Sequence, residues 1–269
     1  MARDTLTVAV AQMNSVLAAI DANARNHESM IADSRDRGVD VLVFPELSLT
    51  GYALGRRTLE TAMPASAPPL VRLAAASGDM TTVVGFVENA GPGACYNAAA
   101  ILRHGRVVAV HRKINLPTYG GLEEGKWFHK GTQPMVFDVD QQWSAAALVC
   151  ADLWNPALVH QTMAQRPDLV LAPANSATAI VSSAFSNERN WGVALGFYAM
   201  MYSTPIAFAN RYGPEGDVHF WGGSAVYGPR GNILASAGDR EEVVAATIER
   251  DTIAQARFDL PTHRDSAGF

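Results

Sequence analysis

The sequence predicts an α/β domain of mixed β-sheets with helices on their outer faces. Short apolar runs alternate with longer stretches of helical spacing along most of the chain. The first two runs are separated by a segment long enough for a helical crossover, the ordinary route to parallel pairing. Two later pairs of runs are split by short turn sequences, as antiparallel hairpins are.

Taken in order, residues 6–13 (LTVAVAQM) and 39–44 (VDVLVF) read as strands. Residues 23–37 carry Ala24, Ile31 and Ala32 among charged neighbours, the pattern of a surface helix. Further strands are expected at 81–87, 98–102, 106–111, 135–139, 145–150, 169–172 and 205–210. Arg103-His104-Gly105 splits one hairpin, and Gly228-Pro229-Arg230-Gly231 splits another between strands at 222–227 and 232–235. Helices are expected over 69–77, 155–165 and 186–201. No internal repeat, low-complexity tract or charged linker divides the chain, so residues 1–269 are expected to form one domain.

Composition narrows the function classes. With 48% hydrophobic and 17% charged residues, the chain is neither disordered nor tail-like. The net charge of −5 is interspersed, with no basic stripe for a phosphate backbone, so no nucleic-acid partner is expected. Cys95 and Cys150 are too few for a disulfide framework and fit a reducing compartment. Asp4 stands where a signal peptide would build its apolar segment. No apolar run reaches the roughly 20 residues that cross a bilayer. A soluble, cytoplasmic protein without a membrane association is the expectation.

Several motifs fail on physical grounds. Gly120-Gly121-Leu122-Glu123-Glu124-Gly125-Lys126 nearly matches a phosphate-binding loop, but Trp127 replaces the magnesium-binding hydroxyl. Glu123 and Glu124 would also set two negative charges inside the cradle. The seven histidines show no metal-ligand spacing, so no metal and no cofactor is expected. Gly222-Gly223-Ser224-Ala225-Val226 lacks the last glycine of a nucleophile elbow.

Three reactive side chains instead fall at the ends of three expected strands. Glu46 follows Val43-Phe44-Pro45, and Pro45 cannot donate to a sheet ladder, so the strand should stop there. Lys113 ends residues 107–112, and Cys150 ends residues 145–149. Carboxyl ends of strands are where open α/β sheets gather functional side chains. Taken singly, each has a structural reading: Cys150 as a small core hydrophobe, Glu46 as a capping carboxylate, Lys113 as a solvated strand end.

The words around them are more specific. VFPELSLTGY, HRKINLPTYGGLEEGKWF and LVCADLWNP, in this order, resemble the three motif blocks of the nitrilase (carbon–nitrogen hydrolase) superfamily. The resemblance runs from about Thr7 to Ile253 and includes Tyr96-Asn97 and Ala209-Asn210-Arg211-Tyr212-Gly213. It implies a four-layer α-β-β-α sandwich with mixed sheets. It also implies a Glu–Lys–Cys triad at Glu46, Lys113 and Cys150, with a second glutamate at Glu124, for which Glu123 is the close rival. In the implied chemistry Glu46 is the acid and base and Cys150 the nucleophile. Lys113 and the backbone N–H of Ala151 stabilise the oxyanion.

Typical nitrile-cleaving members place Trp-Glu after the nucleophile, whereas Ala151-Asp152 stands here, so amide hydrolysis is expected over nitrile hydrolysis. The local pattern Cys150-x-Asp152-Leu153-Trp154-x-Pro156 resembles the glutamine-hydrolysing domain of NAD synthetases, and the chain, ending at Phe269, reads as a free-standing amidase of small-molecule amides. Tyr119, Asn175 and Ser176 are candidate substrate contacts, and helix capping is an equal reading for the last two. Trp127, Phe128 and Trp154 fit an acyl pocket or a core. The apolar segment Leu195-Gly196-Phe197-Tyr198-Ala199-Met200-Met201-Tyr202 fits a subunit contact, so a homodimer or higher homo-oligomer is expected. Alternatives are a nitrilase, an N-carbamoyl hydrolase, an acyltransferase or ammonia-delivering subunit with the same triad, a non-catalytic module, or a nucleotide binder.

Overall fold

The computed structural model describes residues 4–265. Residues 1–3 and 266–269, on which the readings of the amino terminus and of the chain's end partly rest, lie outside the described residues.

The first half runs β1 (Thr5–Gln12), α1 (Ile20–Asp36), β2 (Val41–Val43), α2 (Thr58–Thr61), α3 (Pro68–Ser77), β3 (Thr81–Asn89), β4 (Cys95–Arg103) and β5 (Arg106–Arg112). Next come α4 (Glu124–Trp127), β6 (Met135–Asp138), β7 (Ser144–Ala147), α5 (Pro156–Met163), β8 (Leu169–Ala174), α6 (Asn187–Met201) and β9 (Ile206–Asn210). The chain closes with β10 (Tyr212–Glu215), β11 (Val218–Trp221), β12 (Ala225–Tyr227), β13 (Ile233–Ser236), β14 (Glu242–Glu249), α7 (Arg250–Asp259) and α8 (Thr262–Asp265).

Two six-stranded mixed sheets result, in the orders β14-β1-β2-β3-β4-β5 and β13-β12-β9-β8-β7-β6. From β14, the first sheet pairs antiparallel, parallel, parallel, antiparallel, antiparallel. From β6, the second repeats that succession, so β2 in one corresponds to β8 in the other.

Alternation along the strands explains the layers. Leu6, Val8 and Val10 of β1 point between the sheets and meet Leu169 and Leu171 of β8 in one core. Ala9 and Ala11 point outward, where Phe44 and Phe86 pack with Ile31 of α1 and Leu70 and Leu73 of α3. On the far side, Ala146, Val170 and Phe208 pack with Val159 of α5 and with Trp191 and Leu195 of α6. The architecture is the expected four-layer α-β-β-α sandwich.

Local chemistry sets the helix starts: Asn155 caps α5 ahead of Pro156, and the Ser186 hydroxyl accepts from the Arg189 N–H to cap α6. The hairpin between β4 and β5 turns on two residues, not three. His104 and Gly105 have φ of 51° and 71°, the twist that a two-residue hairpin turn needs. The strand expected to run to Cys150 stops at Ala147, because the chain turns into a 3₁₀ helix over Cys150–Trp154. The elements that the sequence does not announce are the β10–β11 hairpin, β14, α7 and the one-turn helices α2, α4 and α8.

Candidate active site

Glu46 lies just beyond β2, in a turn tied to β3. The Leu49 N–H donates to the Gly85 carbonyl at 3.0 Å, and the Gly85 N–H donates to Ser48 Oγ at 3.2 Å. His27 of α1 meets the same hydroxyl through Nε2 at 2.8 Å, and burial lowers its pKa to about 4, so it is neutral. A β-carbon at Gly85 would lie 2.2 Å from Leu47 N and 2.4 Å from Pro45 O, so only glycine lets the turn cross β3 this closely.

Lys113 follows β5, whose pairing with β4 sets Asn97 opposite it: the Lys113 N–H donates to the Asn97 carbonyl at 2.8 Å. Lys113 and Glu46 are 0% and 1% exposed. Lys113 Nζ donates to Glu46 Oε1 at 2.6 Å and to Glu124 Oε1 at 2.7 Å. Burial by itself would lower the Lys113 pKa, but the Glu124 and Glu46 carboxylates overcome it and hold the ammonium well above its ordinary value.

Of the two rival glutamates, Glu124 is the inner one. It opens α4 at 4% exposure, whereas Glu123 points outward to Lys126 at 3.3 Å. Besides Lys113, Glu124 accepts from Tyr52 Oη at 2.6 Å and from Asn97 Nδ2 at 3.4 Å, and the same Asn97 amide reaches Glu46 Oε1 at 2.7 Å. Burial pushes the Glu124 carboxyl up to about 7, with Lys113 opposing and Glu46 reinforcing the shift.

Cys150 begins its 3₁₀ helix at φ 46°, a backbone conformation costly for a side chain with a β-carbon. The thiol titrates well above its ordinary value, through burial first and then the negative charge of Glu46. Lys113 and the Asn175 N–H act in the opposite sense. The sulfur is thus within electrostatic reach of Glu46, Lys113 and Glu124. Ala151 follows in the first turn, where leading N–H groups have no partner within the helix.

The ends of β2 and β8 meet directly. The Asn175 N–H donates to Glu46 Oε2 at 2.9 Å, and Asn175 Nδ2 donates to the Glu46 carbonyl at 2.5 Å. Asp152 joins Lys113's segment to Cys150's: it accepts from the N–H groups of Ile114, Asn115 and Val149 at 2.9, 2.7 and 3.0 Å and from His111 Nε2 at 3.1 Å.

A cleft of about 270 Å³ opens beside this cluster, with Tyr52, Glu124, Trp127, Phe128, Asn175 and Phe220 among its walls. Its floor is braced by Arg211, which is buried and donates to Glu215 at 2.5 Å while stacking on Phe220 at 4.5 Å. The Gly120 turn docks on a neighbouring loop, the Gly121 N–H donating to the Ile180 carbonyl at 2.9 Å. Tyr119 is partly exposed, and its phenol feels the charges of Cys150, Lys113 and Glu124. Of the expected site residues only Glu124 and Asn175 line this cleft; Tyr119, Ala151, Trp154 and Ser176 do not, and Glu46, Lys113 and Cys150 lie beside it. The Trp154 ring packs edge-on to Trp191 at 4.7 Å, and Ser176 Oγ accepts from Trp191 Nε1 at 2.9 Å and from Trp221 Nε1 at 3.1 Å.

Sequence reasoning passed over Tyr52, Asn97 and Asp152 as site residues. Counting back from the hairpin turn alone sets Asn97 opposite Arg112; the register shift between Ile101 and Leu102 is what moves it opposite Lys113. Among the described residues, no three His, Cys, Asp or Glu side chains group as metal ligands do, and no helix is long and apolar enough to cross a membrane.

The carbon-nitrogen hydrolase family profile matches residues 7–258. The glutamine-dependent NAD(+) synthetase of Thermotoga maritima is 27% identical over 258 residues, covering 95% of this chain and 44% of its own length. The chain thus spans less than half of that relative. The N-carbamoylputrescine amidase of Solanum lycopersicum is 24% identical, covering 91% of this chain and 87% of its own. An amidase from Nesterenkonia sp. AN1, seen with acrylamide added at its active-site cysteine, superposes with a TM-score of 0.81 at 26% identity, covering 97% of this chain and 99% of its own.

Proposed function

Because the chain belongs to the carbon-nitrogen hydrolase family, we propose that it hydrolyses a small primary amide through a thioester on Cys150, releasing ammonia. The observation that carries this reading is the fixing of Glu46: one carboxylate oxygen is held by Lys113 and Asn97 and the other by the Asn175 N–H, with the Cys150 thiol within electrostatic reach of that carboxylate.

The raised thiol pKa means that Cys150 rests protonated and needs a base at the moment of attack. Glu46 takes the thiol proton as sulfur bonds to the carbonyl carbon, and the C=O electron pair moves onto oxygen. The Lys113 ammonium and the Ala151 N–H stabilise that oxyanion. Glu46 then gives its proton to the nitrogen, the C–N bond breaks, and ammonia leaves. In the second half Glu46 takes a proton from water, hydroxide adds to the thioester, and the C–S bond breaks to free the acid and restore the thiol. Glu124 and Tyr52 hold Lys113 on station.

The test is ammonia release from a panel of primary amides, N-carbamoyl compounds and nitriles, with intact-mass detection of an adduct on Cys150. Cys150→Ala should abolish turnover, and Glu46→Gln should prevent acyl-enzyme formation. Ordinary activity in Cys150→Ala would end the proposal. Ammonia release without an added amine acceptor or partner protein separates a hydrolase from an acyltransferase or ammonia-delivering subunit.

The proposed assembly is a homodimer. Val193, Phe197 and Met200 of α6 are 65%, 50% and 41% exposed, on one stripe at helical spacing, and a second copy would cover them. Cys95 and Cys150 are both free, which suits a reducing cytoplasm.

A further inference from the structure

We propose that Asn175 Oδ1 is the acceptor by which the site recognises the N–H of an amide, and so selects amides over ligands of the same shape that carry no N–H. The inference rests on the amidase reading above and deepens it.

Asn175 is 4% exposed at the wall of the cleft. Its backbone N–H is committed to Glu46 Oε2, and its Nδ2 to the Glu46 carbonyl at 2.5 Å. The amide cannot be turned over, since that would press Oδ1 against a carbonyl oxygen at the same distance. Oδ1 is therefore the end left over, and it is buried with no hydrogen-bond partner. Such an acceptor is costly unless something arrives to donate to it.

Chemistry says what arrives. With the substrate carbon against Cys150 and its oxygen toward Lys113, the remaining substituent, nitrogen, must lie beside Glu46 in order to be protonated. Asn175 is bonded to both the carboxylate and the carbonyl of Glu46, so its free oxygen is next to that position. A primary amide brings two N–H groups there. One donates to Oδ1, while the nitrogen lone pair stays turned to Glu46 for the proton. A methyl ketone has nearly the shape of the amide and no N–H; an ester and a nitrile have none either.

The experiment compares ligands sharing one acyl group. In Cys150→Ala, which cannot turn over, the primary amide should bind at least about tenfold tighter than the methyl ketone. Adding Asn175→Ala should erase most of that preference. In catalysis, Asn175→Ala should lower kcat/KM for the amide at least about tenfold more than for the methyl ester. A role limited to holding Glu46 would depress both substrates alike. Equal affinity for amide and ketone, or parallel losses on amide and ester, overturns the inference while amide hydrolysis stands. Absence of ammonia release from every amide overturns the amidase reading, and this inference with it.

Discussion

Removing Asp152 should detach the lysine segment from the cysteine turn, and the cost can be worked from its bonds. Its carboxylate is fully buried and accepts four donors, three of them backbone N–H groups. In Asp152→Ala the Val149 N–H is left without a partner in the interior, at about 1–3 kcal/mol. The Ile114 and Asn115 N–H groups are only part-buried and can recover water, so about 1 kcal/mol each is the reasonable charge. With about 1 kcal/mol more for the lost His111 contact the sum is about 4–6 kcal/mol, a large share of the roughly 5–15 kcal/mol that holds a domain folded. Asp152→Asn is the control. Its Oδ1 still serves Ile114 and Asn115, and its Nδ2 can donate to His111 once that ring moves its proton to Nδ1, which has no partner. Only the Val149 N–H then faces a donor, so about 1–3 kcal/mol is expected. Urea unfolding followed by tryptophan fluorescence reads both. An Asp152→Ala cost below about 1 kcal/mol, or an Asn cost equal to the Ala cost, would refute the reasoning.

Three further outcomes are expected. Burial raises the Glu124 carboxyl from 4.5 to about 7, so between those values the folded chain holds this proton more tightly than the unfolded chain. The stability it contributes is full below pH 4.5 and is lost as pH rises through 7. Urea midpoints of the wild type should therefore fall relative to Glu124→Gln between pH 5 and 8, and an opposite slope would contradict the assignment. Gly85→Ala would set a β-carbon 2.7 Å from Glu46 C. It should cost about 1–3 kcal/mol and lower kcat/KM at least about a hundredfold, measured by melting and ammonia release. Phe197→Glu should convert a dimer to a monomer by light scattering at micromolar concentration; a monomeric wild type would count against the assembly.

Local sequence shows some of this site and hides the rest for identifiable reasons. Glu46, Lys113 and Cys150 stand at the ends of apolar runs, and a strand end is visible from residues next to it. Trp154 shows where adjacency misleads: it is four residues from Cys150, yet the 3₁₀ turn sends its ring toward Trp191. Glu123 and Glu124 have the same chemistry one residue apart, and only the start of α4 decides which faces inward. β14 was invisible because its partner, β1, is some 240 residues away in the chain, with Thr5 facing Glu249. Tyr52 and Asp152 carry no signal of their own, since each acts only as a partner to a side chain brought close by the fold.

The repeated pairing order of the two sheets accounts for where the proposed chemistry sits. β2 and β8 are equivalent strands, both buried between parallel neighbours, and their carboxyl ends converge where the sheets face each other. Glu46 leaves one and Asn175 the other, and their two mutual hydrogen bonds join the halves at that point. Acid and ammonium come from the first sheet and the thiol from the second, so neither half holds the set alone. The Leu and Val layer between the sheets therefore fixes the distance from Glu46 to Cys150 as well as stabilising the fold. A cavity made there, as by Leu171→Ala, should reach the chemistry without touching it. Lowered kcat/KM with every site residue intact is the signature expected, and an unchanged kcat/KM alongside a clear loss of stability would separate the core from the site.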